Sequence, residues 1–278
     1  MPGLLRLARP LNCVMSAVGV AIGGIVAVGS GVWGVFAWPL AFGAIAAALS
    51  TAAGNALNDL ADRETDRVNH PDRPLVTGAV SVPAARNFTV AAFVAAAAIA
   101  TLASLACLAM VVVNAGVLYA YERGLKARGG VGNAAVGYLV GSIFLFAGFA
   151  VFRSDVTPLL RTGVLALLAF LATMGREITK DIEDMAGDVD RRTLPQRIGA
   201  PRAGQLAAAT LVAGVLLSVL PWATAILAWE YAAVVLPADG MFIYAAYHSA
   251  ARPARSQRVT KYAMVVALVA FLAGGLFL

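Results

Sequence analysis

Residues 36–66 read FAWPLAFGAIAAALSTAAGNALNDLADRETD, and this stretch decides the fold. Its first 23 residues carry no charge, which is long enough for an α-helix to cross a hydrocarbon core about 30 Å thick. Its last eight residues hold five charged side chains, so the apolar run ends in a polar, acidic segment. The pattern predicts a membrane-spanning helix that carries polar chemistry at its end.

The composition extends this prediction to the whole chain. Its 278 residues are 60% apolar and 13% charged, whereas about a quarter of the residues in soluble globular domains are charged. We therefore predict an all-α, polytopic membrane protein with about nine transmembrane helices, forming one bundle around a central cavity and a single domain over 1–278. The approximate spans, marked by runs with few charges, lie at 11–30, 36–58, 84–104, 106–121, 132–152, 159–176, 203–221, 225–248 and 260–277. No charge marks the boundary at 104–106, and Glu230, Pro237 and Asp239 interrupt the run 225–248.

The basic residues indicate the orientation, because cytoplasmic loops collect Lys and Arg. With nine spans, one side of the membrane holds 19 of the 21 Lys and Arg residues and 12 of the 15 acids. That side comprises the N-terminus and the loops 59–86, 122–128, 176–202 and 250–261. We expect a multi-pass protein of the cell membrane whose N-terminus and active-site mouth are cytoplasmic and whose C-terminus is outside. Membrane lipids are its expected surroundings, and neither a nucleic-acid-binding module nor an obligate protein partner is indicated.

Two aspartate motifs of the form D-x-x-D-x-x-x-D each follow an apolar run. They comprise Asp59, Asp62 and Asp66, and, 122 positions later, Asp181, Asp184 and Asp188. On an α-helix, residues at i, i+3 and i+7 share one face, and Asn58, Asp62 and Asp66 at i, i+4 and i+8 form a face nearly as compact. Like charges clustered at the end of a span repel one another and lose solvation, so they call for a cation.

A simpler interpretation is that basic neighbours neutralise each motif within its own helix. Arg63 lies four residues after Asp59, and Lys180 lies four before Asp184, which are both ion-pair spacings. The recurrence of the motif favours a functional site instead, because the segments 58–78 and 176–199 both combine acids with a following basic loop. This is typical of an internal duplication whose halves face each other across a cavity.

The side-chain types indicate what binds between the motifs. Carboxylate and amide oxygens are the ligands of a hard cation such as Mg²⁺. Basic side chains able to hold phosphate oxygens lie nearby in the sequence: Arg63, Arg67, Arg73, Lys126, Arg176 and Lys180. Acids for Mg²⁺ and bases for phosphate, at the mouth of an apolar bundle, suggest a diphosphate that carries a long hydrocarbon.

The motifs resemble those of the UbiA superfamily of intramembrane prenyltransferases. The resemblance rests on NDLADRETDRVNHPDRPLVTG at 58–78 and DIEDMAGD at 181–188, with RPLN at 9–12 and YAYERGLKARGGVGN at 119–133 as further matches. It implies two Mg²⁺ ions held by the aspartate motifs and a prenyl diphosphate whose tail runs into the bundle. The match in helix count and motif placement covers nearly the whole chain.

The second motif discriminates within that superfamily. GREITKDIEDMAGD at 175–188 is similar to the archaeal digeranylgeranylglyceryl phosphate synthases, which implies transfer of a geranylgeranyl group to the hydroxyl of geranylgeranylglyceryl phosphate in ether-lipid synthesis. One alternative is an aromatic prenyltransferase of quinone synthesis, with a 4-hydroxybenzoate or naphthoate acceptor. The non-enzyme alternative is a cation-coupled transporter, although transporter sites lie nearer the membrane midplane.

The resemblance implies a role for each polar residue of the motifs. The expected metal ligands are Asn58, Asp62, Asp66, Asp184 and Asp188, and the four aspartates among them are the catalytic residues. Asp59 and Asp181 are either further metal ligands or partners that orient Arg63 and Lys180. The expected substrate-binding residues are Arg63, Arg67, Arg73, Lys126, Lys180, Tyr119, Asn12 and Asn133. Tyr119 and Tyr121 either flank the carbocation or anchor a helix end at the interface. Asn12 and Asn133 either line the polar mouth or join helices, and Asp239 is either buried and functional or part of a loop.

Overall fold

This computed structural model describes residues 2–185 and 192–278, and most of them are helical. Two short 3₁₀ segments, Trp33–Phe36 and Leu125–Ala127, accompany the α-helices. The α-helices are α1 (Pro2–Ala8), α2 (Pro10–Val28), α3 (Ala37–Ala61), α4 (Arg63–Asn69), α5 (Val82–Ala103), α6 (Leu105–Arg123), α7 (Gly130–Val151), α8 (Thr157–Asp184), α9 (Leu194–Ile198), α10 (Ala200–Leu217), α11 (Leu220–Ala223), α12 (Trp229–His248) and α13 (Pro253–Leu276). The all-α prediction is confirmed, and within these residues no strand forms.

Eight segments of the described chain are long and apolar enough to cross a membrane, one fewer than the nine expected. They are α2, α3 with its preceding 3₁₀ turn, α5, α6, α7, α8, α10 with α11, and α13. Large apolar side chains on them face outwards, for instance Leu105, which is 77% exposed, and Leu216, which is 70% exposed. A face of this kind is stable against lipid and costly in water, so the protein is a multi-pass membrane protein.

The ninth long helix, α12, runs between the two ends of the bundle although its composition is more polar. At its start, Ala228 donates its backbone N–H to Gly274, near the end of α13. At its end, the Ser249 hydroxyl donates to the carbonyl of Gly204, near the start of α10, at 3.0 Å. Glu230, Pro237 and Asp239 lower its hydropathy, which is why composition alone does not identify it as a span.

The nine long helices form a closed ring. Each of α2, α3, α5, α6, α7, α8, α10, α12 and α13 packs against the next in the chain, and α13 packs back against α2. Small residues allow the close approaches: a Cβ on Gly141 of α7 would lie 2.6 Å from the carbonyl oxygen of Ala166 on α8. Such contacts are typical of helix packing in membranes. Lipid tails are as apolar as the side chains, so the helices associate through close van der Waals packing instead of hydrophobic burial.

The turn between α5 and α6 explains a boundary that the sequence leaves unmarked. Ser104 has extended backbone angles, and its hydroxyl accepts the N–H of Cys107 at 3.1 Å, capping α6. The same hydroxyl donates to the carbonyl of Phe149 on α7 at 2.9 Å. A single serine therefore satisfies the polar backbone of this turn within an apolar environment, without a charged loop.

Candidate active site

The first aspartate motif spans a break between two helices. α3 ends at Ala61 and α4 begins at Arg63, with Asp62 between them at φ −90° and ψ 7°. Helical hydrogen bonds continue across the break, since the N–H of Asp62 bonds to the Asn58 carbonyl and the N–H of Asp66 to the Asp62 carbonyl. The expectation of one continuous helical face is therefore corrected: the motif begins on the last turn of the long α3 and ends on the short α4.

Basic residues from elsewhere in the chain neutralise the two buried aspartates of this motif. Asp59 is 2% exposed and accepts hydrogen bonds from Arg9 and from Arg73 Nη1, the latter at 3.1 Å. Arg73 Nη1 also donates to Asp66 Oδ2. Burial raises the pKa of the Asp66 carboxyl above its ordinary value, and the Arg73 charge opposes that shift. The interpretation that Arg63 neutralises Asp59 is not supported, because the structure places Arg9 and Arg73 there instead.

Lys126 connects the first motif to the loop after α6. Its Nζ lies 2.5 Å from Asp62 Oδ1 and 2.8 Å from Glu122 Oε2. Asn58 Nδ2 donates to both acids, at 3.0 Å to Asp62 and 2.9 Å to Glu122. The two carboxylates therefore share an ammonium group and an amide, which offsets their mutual repulsion.

The second motif lies at the end of α8. Asp181 Oδ2 accepts a hydrogen bond of 2.9 Å from Asn133 Nδ2 at the start of α7. Asn133 is 5% exposed, and its Oδ1 is buried without a hydrogen-bond partner in the described chain. Lys180 and Asp184 are exposed, while Asp188 lies outside the described residues. Among the described aspartates of this motif, Asp181 is therefore the one that is held by a partly buried hydrogen bond.

A small polar cavity joins the two motifs. Lys126, which contacts Asp62, lines it together with Asp181 and Asn133. Tyr121 and Glu177 also line this cavity, and the Lys126 ammonium lies 5.8 Å from the centre of the Tyr121 ring. Lys126 and Asp181, which lie 64 and 119 positions after Asp62 in the sequence, thus meet around one polar space, at the end of the bundle where α3, α6 and α8 terminate.

Three of the expected substrate-binding residues make other contacts. Tyr119 is 54% exposed, and its hydroxyl accepts a hydrogen bond of 2.9 Å from Arg123 Nε. Arg67 pairs with Glu64 at 2.7 Å on the exposed side of α4. Asn12 Nδ2 lies 3.5 Å from Asn55 Oδ1, which joins α2 to α3. Among these three, only Asn12 lies near the buried face of the first motif.

The sequence interpretation omitted Arg9, Glu122 and Glu177 from the site. Arg9 opens the RPLN match, and its left-handed backbone, with φ 52° and ψ 73°, separates α1 from α2. Glu122 precedes Lys126 by four residues at the end of an apolar run, a spacing that favours an ion pair. Both patterns were visible in the sequence, and each places a charge beside the aspartates.

The donor set fits a hard divalent cation. Asn58, Asp62 and Asp66 offer amide and carboxylate oxygens on one side, and Asp181 offers a carboxylate on the other, which are the ligand types of Mg²⁺. In residues 2–185 and 192–278, no three acidic, histidine or cysteine side chains converge on a single point. The carboxylates are instead held by Arg9, Arg73 and Lys126, cations that can also hold phosphate.

Comparison with known proteins gives a consistent family assignment. The sequence profile of the UbiA prenyltransferase family matches residues 16–276. The chain is 40% identical to the digeranylgeranylglyceryl phosphate synthase of Halobacterium salinarum, over 99% of this chain and 97% of that protein. It is 39% identical to the synthase of the same name from Methanopyrus kandleri, over 98% of this chain and 99% of that protein.

Solved structures agree with this assignment. A structure described as digeranylgeranylglyceryl phosphate synthase in membranes is 30% identical and superposes with a TM-score of 0.83, covering 100% of this chain and 99% of that one. A UbiA homolog from Aeropyrum pernix K1, 19% identical, shows the same fold with a TM-score of 0.75 over 95% of this chain and 97% of that one. The chain belongs to the UbiA prenyltransferase family.

Proposed function

We propose that this protein transfers a geranylgeranyl group from its diphosphate to the free hydroxyl of geranylgeranylglyceryl phosphate, a step in archaeal-type ether-lipid synthesis. The observation that carries the proposal is the position of Lys126, which contacts Asp62 of the first motif and lines the same cavity as Asp181 of the second. The full-length similarity to synthases of that name supports this acceptor.

The reaction follows from the charges around the cavity. The bond between the allylic carbon and the diphosphate oxygen breaks, and its electron pair leaves with the diphosphate. Arg9, Arg73 and Lys126 stabilise the negative charge that accumulates on the leaving group. The allylic carbon then bonds to the acceptor oxygen, whose proton is released. Apolar walls of the bundle exclude the water that would otherwise capture the carbocation.

Two Mg²⁺ ions belong to this proposal. Asn58, Asp62 and Asp66 would hold one side of the metal site, and Asp181, Asp184 and Asp188 the other, with Asp59 orienting Arg9 and Arg73. Bound Mg²⁺ supplies Lewis-acid stabilisation of the departing diphosphate. UbiA homologs from Archaeoglobus fulgidus have been solved with Mg²⁺ and a prenyl diphosphate, geranyl or dimethylallyl diphosphate, which supports the metal requirement.

We further propose that the site faces the cytoplasm. In the sequence, the segments predicted for the side that carries it hold 19 of the 21 Lys and Arg residues, and loops rich in these residues stay inside. The N-terminus lies at the same end, since Arg6 Nη2 donates to the Asp72 carbonyl at 2.8 Å. The two motifs are proposed to be halves of an internal duplication, which accounts for their matching acids.

The test is an acceptor panel with purified protein in lipid nanodiscs. With geranylgeranyl diphosphate, Mg²⁺ and geranylgeranylglyceryl phosphate, we expect release of diphosphate and formation of the doubly prenylated lipid, measured by mass spectrometry. Chelation of Mg²⁺ should abolish both products. Turnover with 4-hydroxybenzoate or a naphthoate, and none with the glyceryl lipid, would instead assign the protein to quinone synthesis.

A further inference from the structure

A second basic position, Arg176, lies where α8 packs against α13, next in sequence to Glu177 of the cavity wall. Arg176 on α8 donates from Nη1 to Glu177 Oε1 at 2.5 Å, and Glu177 lines the cavity. Arg176 Nη2 lies 3.4 Å from Gln257 Oε1 on α13, a long and weak hydrogen bond. These contacts hold the guanidinium between α8 and α13, beside Glu177 of the cavity wall.

The hydrogen bonds of this guanidinium are incomplete. Arg176 Nε is buried and has no partner in the described residues. Three residues earlier on the same side of α8, Thr173 is 3% exposed and its Oγ1 is likewise buried without a partner. A buried donor without an acceptor costs about 1–3 kcal/mol, and more when the group is charged. Arg176 Nε and Thr173 Oγ1 lie one helical turn apart, and an anion that accepts several hydrogen bonds would satisfy both groups.

We propose that Arg176 binds the phosphate monoester of the lipid acceptor. The inference rests on the proposed function, since it assigns the second anionic group of that reaction. An Arg guanidinium matches two phosphate oxygens at once, so Nε and Nη2 form the pair of donors that face the phosphate. Glu177 accepts the hydrogen bond of the third nitrogen, Nη1, and thereby orients the plane of the guanidinium.

The donor diphosphate has other cations available. Arg9, Arg73 and Lys126 contact the carboxylates of the first motif, where the metal ions and the diphosphate are proposed to bind. Arg176 instead contacts Glu177 and Gln257, and Lys261, one turn after Gln257 on α13, is exposed. A polar headgroup at the α8–α13 seam would therefore meet positive charge that the diphosphate does not use.

The experiment measures KM separately for the two substrates in Arg176→Gln. We expect KM for geranylgeranylglyceryl phosphate to rise by about 10- to 100-fold, as expected for loss of charge-assisted hydrogen bonds, while KM for geranylgeranyl diphosphate stays within about twofold. Arg176→Lys keeps the charge but loses the pair of parallel donors, so it should raise KM for geranylgeranylglyceryl phosphate by a smaller factor. With geranylgeranylglycerol, which lacks the phosphate, the wild type and Arg176→Gln should turn over equally.

Arg258→Gln is the matched control, because it removes the same charge from an exposed position at the same end of the bundle. It should leave both KM values within about twofold of the wild type.

The inference is wrong if Arg258→Gln and Arg176→Gln raise KM for the acceptor equally, since net charge would then explain the effect. It is also wrong if Arg176→Gln raises KM for the diphosphate instead. A wild type that does not prenylate the glyceryl phosphate refutes the proposed function itself, which is a different result. If Arg176→Gln does not fold, Arg176→Lys alone decides, and an unchanged acceptor KM in it contradicts the inference.

Discussion

Single residues at the end of α6 show what the sequence does and does not decide. Tyr119 and Tyr121 are two positions apart, so they point to nearly opposite sides of the helix. The sequence interpretation placed Tyr119 in the site, whereas the structure puts Tyr121 at the cavity and Tyr119 beside Arg123 on the exposed side. Hydropathy cannot separate the two positions, because both faces of a helix end tolerate a polar aromatic ring.

The two tyrosines therefore provide a matched pair of variants. Tyr121→Leu removes the ring 5.8 Å from the Lys126 ammonium, and we expect kcat/KM to fall by about tenfold, the size of a partly desolvated cation–π contact. Tyr119→Leu should change kcat/KM by less than about twofold. Steady-state diphosphate release measures both variants. Equal losses in the two would show that Lys126 does not depend on the Tyr121 ring.

At the scale of elements, the start of α7 positions Lys126. Gly132 lies against the 3₁₀ turn that carries this lysine, and a Cβ on it would be 2.8 Å from the Leu125 carbonyl oxygen and 3.0 Å from Lys126 Cα. Gly130, two residues earlier, has room, since its Cβ would lie 4.0 Å from Leu194. Gly132 therefore sets a close approach to the turn that carries Lys126, and Gly130 does not.

Gly132→Ala should displace the turn and with it Lys126. We expect activity to fall by about 10- to 100-fold, because a shift of about 1 Å in a charged group at a reaction centre costs that much, and stability to fall by about 1–3 kcal/mol from overpacking. Gly130→Ala is the control and should behave as the wild type. Activity assays and thermal unfolding in detergent check both variants. Wild-type activity in Gly132→Ala would mean that the turn does not position Lys126.

How much of the fold and the site was predictable differs between elements. The apolar runs predicted α2, α3, α7 and α8, because a span needs only length and the absence of charge. The break at Asp62 was not predicted, since helical hydrogen bonding continues through it. Arg9 and Arg73 lie 50 and 14 positions from Asp59, and local spacing gives no information about partners at such distances. The sequence therefore predicted which acids cluster, but not which bases meet them.

At the scale of the whole molecule, the chain ends lie at opposite ends of the bundle. Ser30, after the first span, donates to the Leu276 carbonyl at 2.8 Å, whereas Arg6, before that span, contacts Asp72. An odd number of crossings is required, and α12 supplies the one that composition alone misses. The polar residues of α12 lower its hydropathy, so hydropathy does not identify it as a span. Its contacts with α10 and α13 show that it is part of the ring.

The orientation of the molecule is open to direct labelling. In a background with Cys13→Ala and Cys107→Ala, we place single cysteines at Ala79, near the site, and at Ser154, at the other end, both exposed. A membrane-impermeant maleimide should label Ser154→Cys in intact spheroplasts and Ala79→Cys only in inverted vesicles. The reverse pattern would place the aspartates outside the cytoplasm. Labelling of both from one side would contradict the crossing of the bundle between them.

The closure of the ring also constrains how the protein is made. The partners of α2 on one side are in α13, whose last turns reach Ser30 across 246 positions of sequence, and Gly275 lies against Ile25 and Val26. Ribosomes add about 5–20 residues per second, so the first span resides in the bilayer for roughly 12–50 seconds before its neighbour is synthesised. During that interval the side of α2 that carries Ile25 and Val26 is available to lipid, to insertion chaperones or to other nascent chains. The ring of contacts therefore closes only once α13 has been synthesised and docks against α2.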